Sequence, residues 1–467
     1  FFFFSYILEK IEIEGMYQNN SPSSLLFSPR VQSQSSDIYK ALSDDAARAW
    51  LALSACAIPT MMKLGFSPYS PGISFHAAFS SSMVMQQSPS RAAVYGTVRT
   101  GNLSWSVTPS VRVTLETAGG DRIQATRARI SRTEHGWEWL VRLHPVRGSA
   151  AMAHTVVASL LDAQGGAAET TKIVDVRFGD VWLCAGQSNM WMPLYFTFDR
   201  NLSLHKAMGG FYENIRMPCG DSKDVQLSAR KHAVFPAWKT ARSCASEIST
   251  SLLRNGQPLP LLFSVCAACW YFAESLTHRF KLEQRPAPAL GMMCVAEGQT
   301  SIEAWLPRRK LAGCTNTLWA VCNVKTSDNC STDTQRFGKT YEERIEPLLP
   351  MAIKGWLWNQ GEYNCRGNAI SGNYLGRYGY ACELPALVSY WRSRWSEEPN
   401  STDPLAPFGI ITLPARANWM GGRDMGGMRH AQTASFGVLP NDALPNTFLA
   451  QSYDLPDSWN VDAGCFA

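Results

Sequence analysis

The sequence predicts an α/β protein in which an open parallel sheet flanked by helices follows a β-sandwich-like domain. Two patterns support this prediction. Within residues 75–174, apolar and polar residues alternate in short segments, as they do in strands. After residue 181, apolar runs typical of buried strands alternate with segments that have helical spacing. Because the start of the chain contains Ser-rich stretches without periodicity, we expect three regions. They are a low-pattern N-terminal extension (1–71), a β-rich sandwich-like domain (72–175) and an α/β domain (176–467).

The β-rich region contains short runs that alternate between apolar and polar residues. Turn residues such as those at 118–121 separate these runs, as is typical of antiparallel sandwiches. The predicted strands are 93–96, 111–115, 137–143 and 155–160. No cluster of acid and base residues falls within them, so we expect the chemistry elsewhere.

The second half of the chain alternates between predicted strands and helices. Helical spacing covers 269–280 and 384–395, and apolar runs predict strands at 181–185, 289–295, 353–358, 408–413 and 447–450. Such alternation favours an open parallel sheet, whose ligands bind at the carboxyl ends of the strands. The residues just after each strand are therefore the candidates for a functional site.

Composition excludes several classes of protein. The 467 residues are 45% hydrophobic and 17% charged, with 43 basic and 38 acidic residues that form no block of like charge. Nucleic acid is therefore not an expected partner, and no apolar run is long enough for a transmembrane segment. The 13 cysteines include one C-x-x-C pair, Cys266 and Cys269, whose helical spacing is more typical of a core than of redox chemistry. The sequence thus predicts neither a metal site nor a cofactor.

Three strand ends carry the residue types needed for acyl transfer. The first strand leads into Gly186-Gln187-Ser188-Asn189, the second into Glu297-Gly298-Gln299-Thr300, and the third into Asn359-Gln360-Gly361-Glu362-Tyr363-Asn364. A serine can act as nucleophile, while a glycine N–H and a side-chain amide can stabilise an oxyanion. Because these ends meet at one sheet edge, they predict an active site there.

The motifs at these strand ends resemble those of the sialate O-acetylesterases of the SGNH-hydrolase superfamily. The resemblance rests on GDVWLCAGQSNM (179–190), TSIEAW (300–305), IKGWLWNQGEYN (353–364), RHAQTASFG (429–437) and LPNTFLA (444–450). It implies an SGNH-type sheet and a serine esterase without a cofactor, whose partner is an O-acetylated sialic acid. The residues concerned are Ser188 as nucleophile, Gly298 and Asn364 as oxyanion donors, and Gln187, Asn189, Gln360 and Glu362 as motif-supporting residues. For Glu362, a catalytic role and a purely structural role in its loop both stay open.

Two departures from the family pattern stand out. The family has Trp-Gly-Gly-Thr where this chain has Glu297-Gly298-Gln299-Thr300, which brings a charge and an amide to the presumed oxyanion site. The family's general base is a His in an Ile-His-Pro segment after the last strand, but no His follows His430 here. Since a serine hydroxyl needs a base, we expect that base beyond Ala467, with His430 as a less favoured candidate.

The motifs define the chemistry better than the substrate or the compartment. A catalytically inactive glycan-binding relative, or an acetylesterase for another polysaccharide such as xylan, stays open as an alternative. The resemblance implies a secreted or lysosomal protein. Compatible features are a short apolar stretch at 48–57, which is weak as a signal peptide because Asp44 and Asp45 precede it, and sequons at Asn102, Asn201, Asn329 and Asn400.

Overall fold

The computed structural model describes residues 72–99, 108–134, 136–220, 235–254, 257–311, 314, 337–365, 376–414 and 425–452. The expected N-terminal extension, the sequons at Asn102 and Asn329, and residues 453–467 lie outside the described residues. Within the described part of the chain, no helix is long and apolar enough to cross a membrane.

The first half of the described chain is built of antiparallel strands. A four-stranded sheet has the order β1-β3-β7-β6, and β4 pairs with β5 and β8. The alternating burial along β4 fits the period-two pattern of its sequence. The bounds are β1 (Gly72–Phe75), β2 (Val84–Gln86), β3 (Ala93–Arg99), β4 (Ser110–Thr117), β5 (Arg122–Arg127), β6 (Arg129–Thr133), β7 (Gly136–Arg142) and β8 (Ser149–Leu161).

The second half is organised around a central sheet of order β11-β10-β14-β9-β15-β16-β17. In this order, the strands β10, β14, β9, β15, β16 and β17 run parallel to one another. The edge strand β11 is antiparallel to β10. The central strands are buried on both faces, which explains their continuous apolar sequences. The bounds are β9 (Ala167–Gly186), β10 (Ile215–Pro218), β11 (Trp238–Thr240), β12 (Ile248–Arg254), β13 (Gln257–Pro260), β14 (Ala289–Ala296), β15 (Gly355–Asn359), β16 (Phe408–Ile411) and β17 (Thr447–Ala450).

Helices flank this sheet and connect its strands. They are α1 (Ser188–Trp191), α2 (Arg200–Met208), α3 (Ala241–Ser246), α4 (Ala267–Leu282), α5 (Glu362–Cys365), α6 (Gly376–Trp395) and α7 (Met425–Ala431). Single turns of 3₁₀ helix span Leu194–Phe196, Leu261–Ser264, Ile302–Trp305, Arg308–Lys310 and Glu346–Leu348, and a π turn spans Tyr341–Ile345. The mixed α/β architecture with a large helix-flanked sheet agrees with the predicted fold class.

Strand β9 is longer than the sequence predicts. Its apolar run suggested a strand at 181–185, but β9 extends over 20 residues and crosses the expected boundary at residue 175. Its first half pairs with β8 and its second half with β14 and β15. The first half of β9 alternates between apolar and polar residues, as an antiparallel strand with one buried face does. It therefore lacks the continuous apolar run by which the sequence predicts a strand buried on both faces. One strand therefore connects the antiparallel and parallel parts of the molecule.

Two disulfides join the start of α4 to the centre of the sheet. Cys184 of β9 is bonded to Cys269, and Cys294 of β14 to Cys266. Cys184 and Cys294 are register partners on adjacent strands, so the two bonds lie side by side. The C-x-x-C pair is in the core, as predicted, but it also forms these crosslinks, which the spacing did not indicate. A third disulfide joins Cys314 to Cys382 of α6.

A cluster of tryptophans packs α6 against the sheet. Trp358 of β15 is 5.4 Å from Trp305 and 5.7 Å from Trp391 between ring centroids. The indole N–H of Trp391 donates to the carbonyl of Trp305 at 3.0 Å. Buried aromatic pairs of this kind contribute both apolar burial and edge-to-face attraction. The cluster thus fixes the 302–305 turn, which carries part of the candidate site, against the helix behind it.

Candidate active site

Ser188 lies at the point where β9 ends and α1 begins. Gly186 has a φ of +149°, and a Cβ there would lie 2.0 Å from the carbonyl oxygen of Asn359 on β15. The N–H of Gln187 donates to that same oxygen at 3.0 Å. Only glycine permits this close approach of two strand ends, and the approach sets where the next residue, Ser188, emerges.

Gly298 lies directly beside Ser188. A Cβ built on Gly298 would be 3.9 Å from the Cβ of Ser188. The N–H of Glu297 donates to the carbonyl of Gly186 at 2.9 Å, so the end of β14 is fixed against the end of β9. The expected nucleophile and the expected backbone donor are therefore neighbours, as the shared sheet edge predicted.

Gln360 connects the supporting residues through its side-chain amide. Its Nε2 donates to Oε1 of Gln187 at 3.1 Å, to the carbonyl of Thr300 at 3.0 Å and to Oδ1 of Asn364 at 2.7 Å. Oε1 of Gln187 also accepts from the N–H of Tyr363 at 3.2 Å. Because Gln360 is fully buried, these bonds hold the three strand-end loops in one arrangement.

Glu362 and Asn189 form a second contact between the loops. Nδ2 of Asn189, the residue after Ser188, donates to Oε1 of Glu362. Burial raises the pKa of Glu362 to about 7, although hydrogen bonds from Asn189 and from the backbone N–H groups of Glu362 and Gly361 oppose this shift. Its carboxyl group thus interacts with backbone N–H groups, as a structural role requires, and also changes charge near neutral pH.

The raised pKa of Glu362 predicts a pH-dependent stability. The unfolded chain releases this proton near the ordinary value of 4.5 and the folded protein near 7, so folding loses stability as pH rises between these values. We expect Glu362→Gln to remove a loss of roughly 3 kcal/mol in the free energy of unfolding between pH 4.5 and 8. Chemical denaturation at a series of pH values measures it.

The exposed Glu213, replaced by glutamine, provides the control for this experiment. The Glu213→Gln variant should keep the wild-type dependence of stability on pH. Parallel pH profiles for the wild type and Glu362→Gln would contradict the prediction.

The charge of Glu297 and the amide of Gln299, which depart from the family motif, are accommodated differently. The carboxylate of Glu297 forms an ion pair with Arg344, Nε to Oε2 at 3.2 Å, and accepts from the hydroxyl of Thr340 at 3.3 Å. The added charge is therefore neutralised locally. Gln299 has a φ of +59°, in the left-handed region that favours the glycine of the family motif. The amide at position 299 thus comes with some backbone strain.

The described histidines either pack against aromatic rings or are exposed. His76 packs against Tyr95 with ring centroids 4.9 Å apart, His154 against Phe178 at 5.1 Å, and His278 against Phe211 at 5.3 Å. His144, His205 and His430 are exposed, the last of them on α7. His135 and His232 lie outside the described residues. The identity of the base therefore stays a prediction.

Several residues for which the motifs predicted no role also join the network. Glu303 accepts from Nδ2 of Asn364 at 3.0 Å, and the hydroxyl of Tyr380 donates to the carbonyl of Gln360 at 3.0 Å. Nε2 of Gln432 donates to the same carbonyl at 3.1 Å. Glu303 and Gln432 belong to the TSIEAW and RHAQTASFG motifs, so their place in those motifs was the available signal.

A cavity lies between β10, β14 and the start of α4. Its lining includes the apolar side chains of Trp191, Met217 and Phe235, together with Arg344. Among the residues described, no group of three or more His, Cys, Asp or Glu side chains is arranged to hold a metal ion.

Comparison with known proteins identifies several similar proteins. No family model matches the chain. The sialate O-acetylesterases of Homo sapiens and Pongo abelii are each 28% identical to it, over 396 and 393 residues, which is 83% of this chain and 66% of each relative. The Rattus norvegicus enzyme of the same name is 28% identical over 413 residues. The chain thus spans slightly less than two thirds of the human and orangutan proteins.

A solved structure supports the fold. A carbohydrate acetylesterase from Xanthomonas citri matches with a TM-score of 0.54 at 20% identity, covering 82% of this chain and 69% of that protein. The large helix-flanked sheet is common to both. The sequence matches confirm the resemblance that the motifs indicated, and the chain is similar to the sialate O-acetylesterases.

Proposed function

We propose that this protein is a serine esterase that hydrolyses the O-acetyl esters of sialic acids. The observation that carries the proposal is the position of Ser188 beside Gly298, at the meeting point of three strand ends whose loops are held together by buried amide contacts. The names of the relatives support the substrate class.

In the proposed first step, Oγ of Ser188 attacks the carbonyl carbon of the acetyl group and its proton passes to a base. The N–H groups of Ser188 and Gly298 and the side-chain amide of Asn364 stabilise the oxyanion that forms. The tetrahedral intermediate then collapses, and the departing sugar oxygen takes up the proton. Water attacks the acetyl-enzyme in the same manner and releases acetate.

The base in this scheme is a histidine outside the described residues, as the resemblance implies. Glu362 has properties suited to assist it. Its carboxyl group lies against Asn189, one residue from the proposed nucleophile, and its Oε2 accepts no hydrogen bond from the described residues. A carboxylate that orients the imidazole of a histidine is a recurrent component of serine hydrolases.

Acetate release from a panel of substrates tests the proposed function. The full-length protein is supplied with an O-acetylated sialic acid, acetylated xylan and an aryl acetate at matched ester concentration. We expect kcat/KM for the sialic acid ester to exceed that for acetylated xylan by about tenfold or more, since distinct polar contacts to a sugar discriminate at this level or above.

Three outcomes would overturn parts of the proposal. A preference for acetylated xylan would replace the substrate class while retaining the esterase. Hydrolysis of the aryl acetate alone would remove the sugar substrate. Binding of the O-acetylated sialic acid without acetate release would favour the inactive glycan-binding relative, and unacetylated sialic acid provides the matched binding control.

We further propose that residues 72–175 form a sandwich-like domain ahead of the esterase domain. The antiparallel sheet β1-β3-β7-β6 and the antiparallel strands β4, β5 and β8 support it. We also propose a secreted or lysosomal location. The three disulfides support it because such bonds persist in oxidising compartments. Asn201 and Asn400, the two sequon asparagines within the described residues, are both exposed.

A further inference from the structure

Behind the loop that carries Asn364 lies a buried pair of carboxyl groups, those of Glu303 and Glu383. Glu303 belongs to the 302–305 turn and Glu383 to α6, and both side chains are almost fully buried. Buried carboxyl groups are rare unless they serve a specific contact. Glu303 contacts the side-chain amide of Asn364.

The orientation of the Asn364 amide is determined by its partners. Its Oδ1 accepts from the N–H of Ile302 at 3.1 Å and from Nε2 of Gln360 at 2.7 Å. Its Nδ2 donates to Oε2 of Glu303 at 3.0 Å. An amide nitrogen has two hydrogens in one plane, so the bond to Glu303 also fixes the direction of the second hydrogen.

The turn that carries Glu303 is held by hydrogen bonds of Trp305. The indole of Trp305 donates to the hydroxyl of Thr300 at 3.0 Å, and the carbonyl of Trp305 accepts from Trp391. Burial and the negative charge of Glu303 raise the pKa of Glu383 well above its usual range. Glu303 is itself buried, and a hydrogen bond such as the one it accepts from Asn364 is stronger in a buried setting than in water.

We propose that Glu303 is a positioning residue, whose carboxylate holds the Asn364 amide so that its second N–H donates to the oxyanion. This inference rests on the proposed function, because it concerns the same acyl-transfer site. Glu303 acts through Asn364, whose side-chain amide it contacts. Loss of its contact should therefore lower kcat and leave KM nearly unchanged.

Two substitutions at position 303 separate positioning from a requirement for charge. Glu303→Gln keeps an acceptor oxygen at the same reach, and we expect its kcat to stay within about fivefold of the wild type. Glu303→Asp keeps the charge but withdraws the oxygen from Asn364. We expect its kcat to fall by about 10- to 100-fold, approaching the loss of one oxyanion donor, with KM changed less than about threefold.

A double-mutant cycle supplies the second measurement. Asn364→Ala removes the amide, so the addition of Glu303→Asp should lower kcat by no more than about twofold further. Glu383→Gln is the matched buried control, since it changes the carboxyl pair without touching Asn364 and should leave kcat within about twofold. Thermal unfolding of each variant verifies that it is folded.

Failure of the positioning role and failure of the proposed function give different results. A larger loss for Glu303→Gln than for Glu303→Asp, or losses that multiply in the double variant, would overturn the positioning role while the esterase stands. A wild-type protein that neither releases acetate nor is labelled at Ser188 by a fluorophosphonate would overturn the proposed function and this inference together.

Discussion

Replacement of Ser188 by alanine is expected to lower acetate release by at least about 10³-fold, because no other group at this position can form the acetyl-enzyme. The variant should fold as the wild type does. Ser188 is partly buried at the first turn of α1, and the bonds that shape the turn involve the backbones of Gln187, Met190 and Trp191 instead of the serine hydroxyl. Acetate release at saturating substrate, with thermal unfolding recorded in parallel, measures both effects.

The control for this substitution is Ser246→Ala, at an exposed serine at the end of α3. It should retain the wild-type rate. A fluorophosphonate should add its mass to the peptide that contains Ser188 in the wild type. It should add no mass to the corresponding peptide of Ser188→Ala. Hydrolysis by Ser188→Ala at the wild-type rate would show that another residue is the nucleophile.

Replacement of Gly186 by alanine is expected to disrupt folding, with a loss of about 4 kcal/mol or more in the free energy of unfolding. The added Cβ would lie 2.0 Å from the carbonyl oxygen and 2.7 Å from the carbonyl carbon of Asn359, both of which are backbone atoms of a central strand. The φ of +149° adds strain for any residue with a Cβ. Denaturant unfolding, or the soluble yield where the variant is insoluble, measures the loss.

Gly298→Ala is the matched control for stability within the same site. Among the described residues, its Cβ would meet only the Cβ of Ser188, at an ordinary contact distance of 3.9 Å, so we expect a change in stability of less than about 1 kcal/mol. Equal stabilities for the two alanine variants would contradict the role given to the close approach of β9 and β15.

Much of the fold was predictable because its elements have strong local patterns. The helix around 269–280 and the strands at 289–295 and 447–450 agree with α4, β14 and β17. Since parallel strands place their carboxyl ends together, the same pattern predicted that Ser188 and Gly298 would be neighbours. The chemical roles of these residues stay predictions that the substitutions above will test.

The rest depended on tertiary contacts that leave no periodic signal. The contact of Glu303 with Asn364 joins residues 61 positions apart, and nothing in the local sequence of either residue indicates it. The length of β9 follows from its two sets of partners, and the ion pair of Glu297 with Arg344 joins separate loops. The spacing of apolar residues identifies the buried face of an element and the end of a strand. The contacts between residues far apart in the sequence are decided by the packing of the whole domain.

The adjacent disulfides at the start of α4 have a practical consequence for producing the protein. They bind this helix to the two strands that deliver Ser188 and Gly298, and Cys184 is only four positions from the serine. Protein made in a reducing cytosol would carry four thiols where α4 packs on the sheet. Incorrect pairing of these thiols would displace the loops that carry Ser188 and Gly298. Recombinant work therefore calls for a host compartment with oxidative folding, such as the bacterial periplasm or the endoplasmic reticulum.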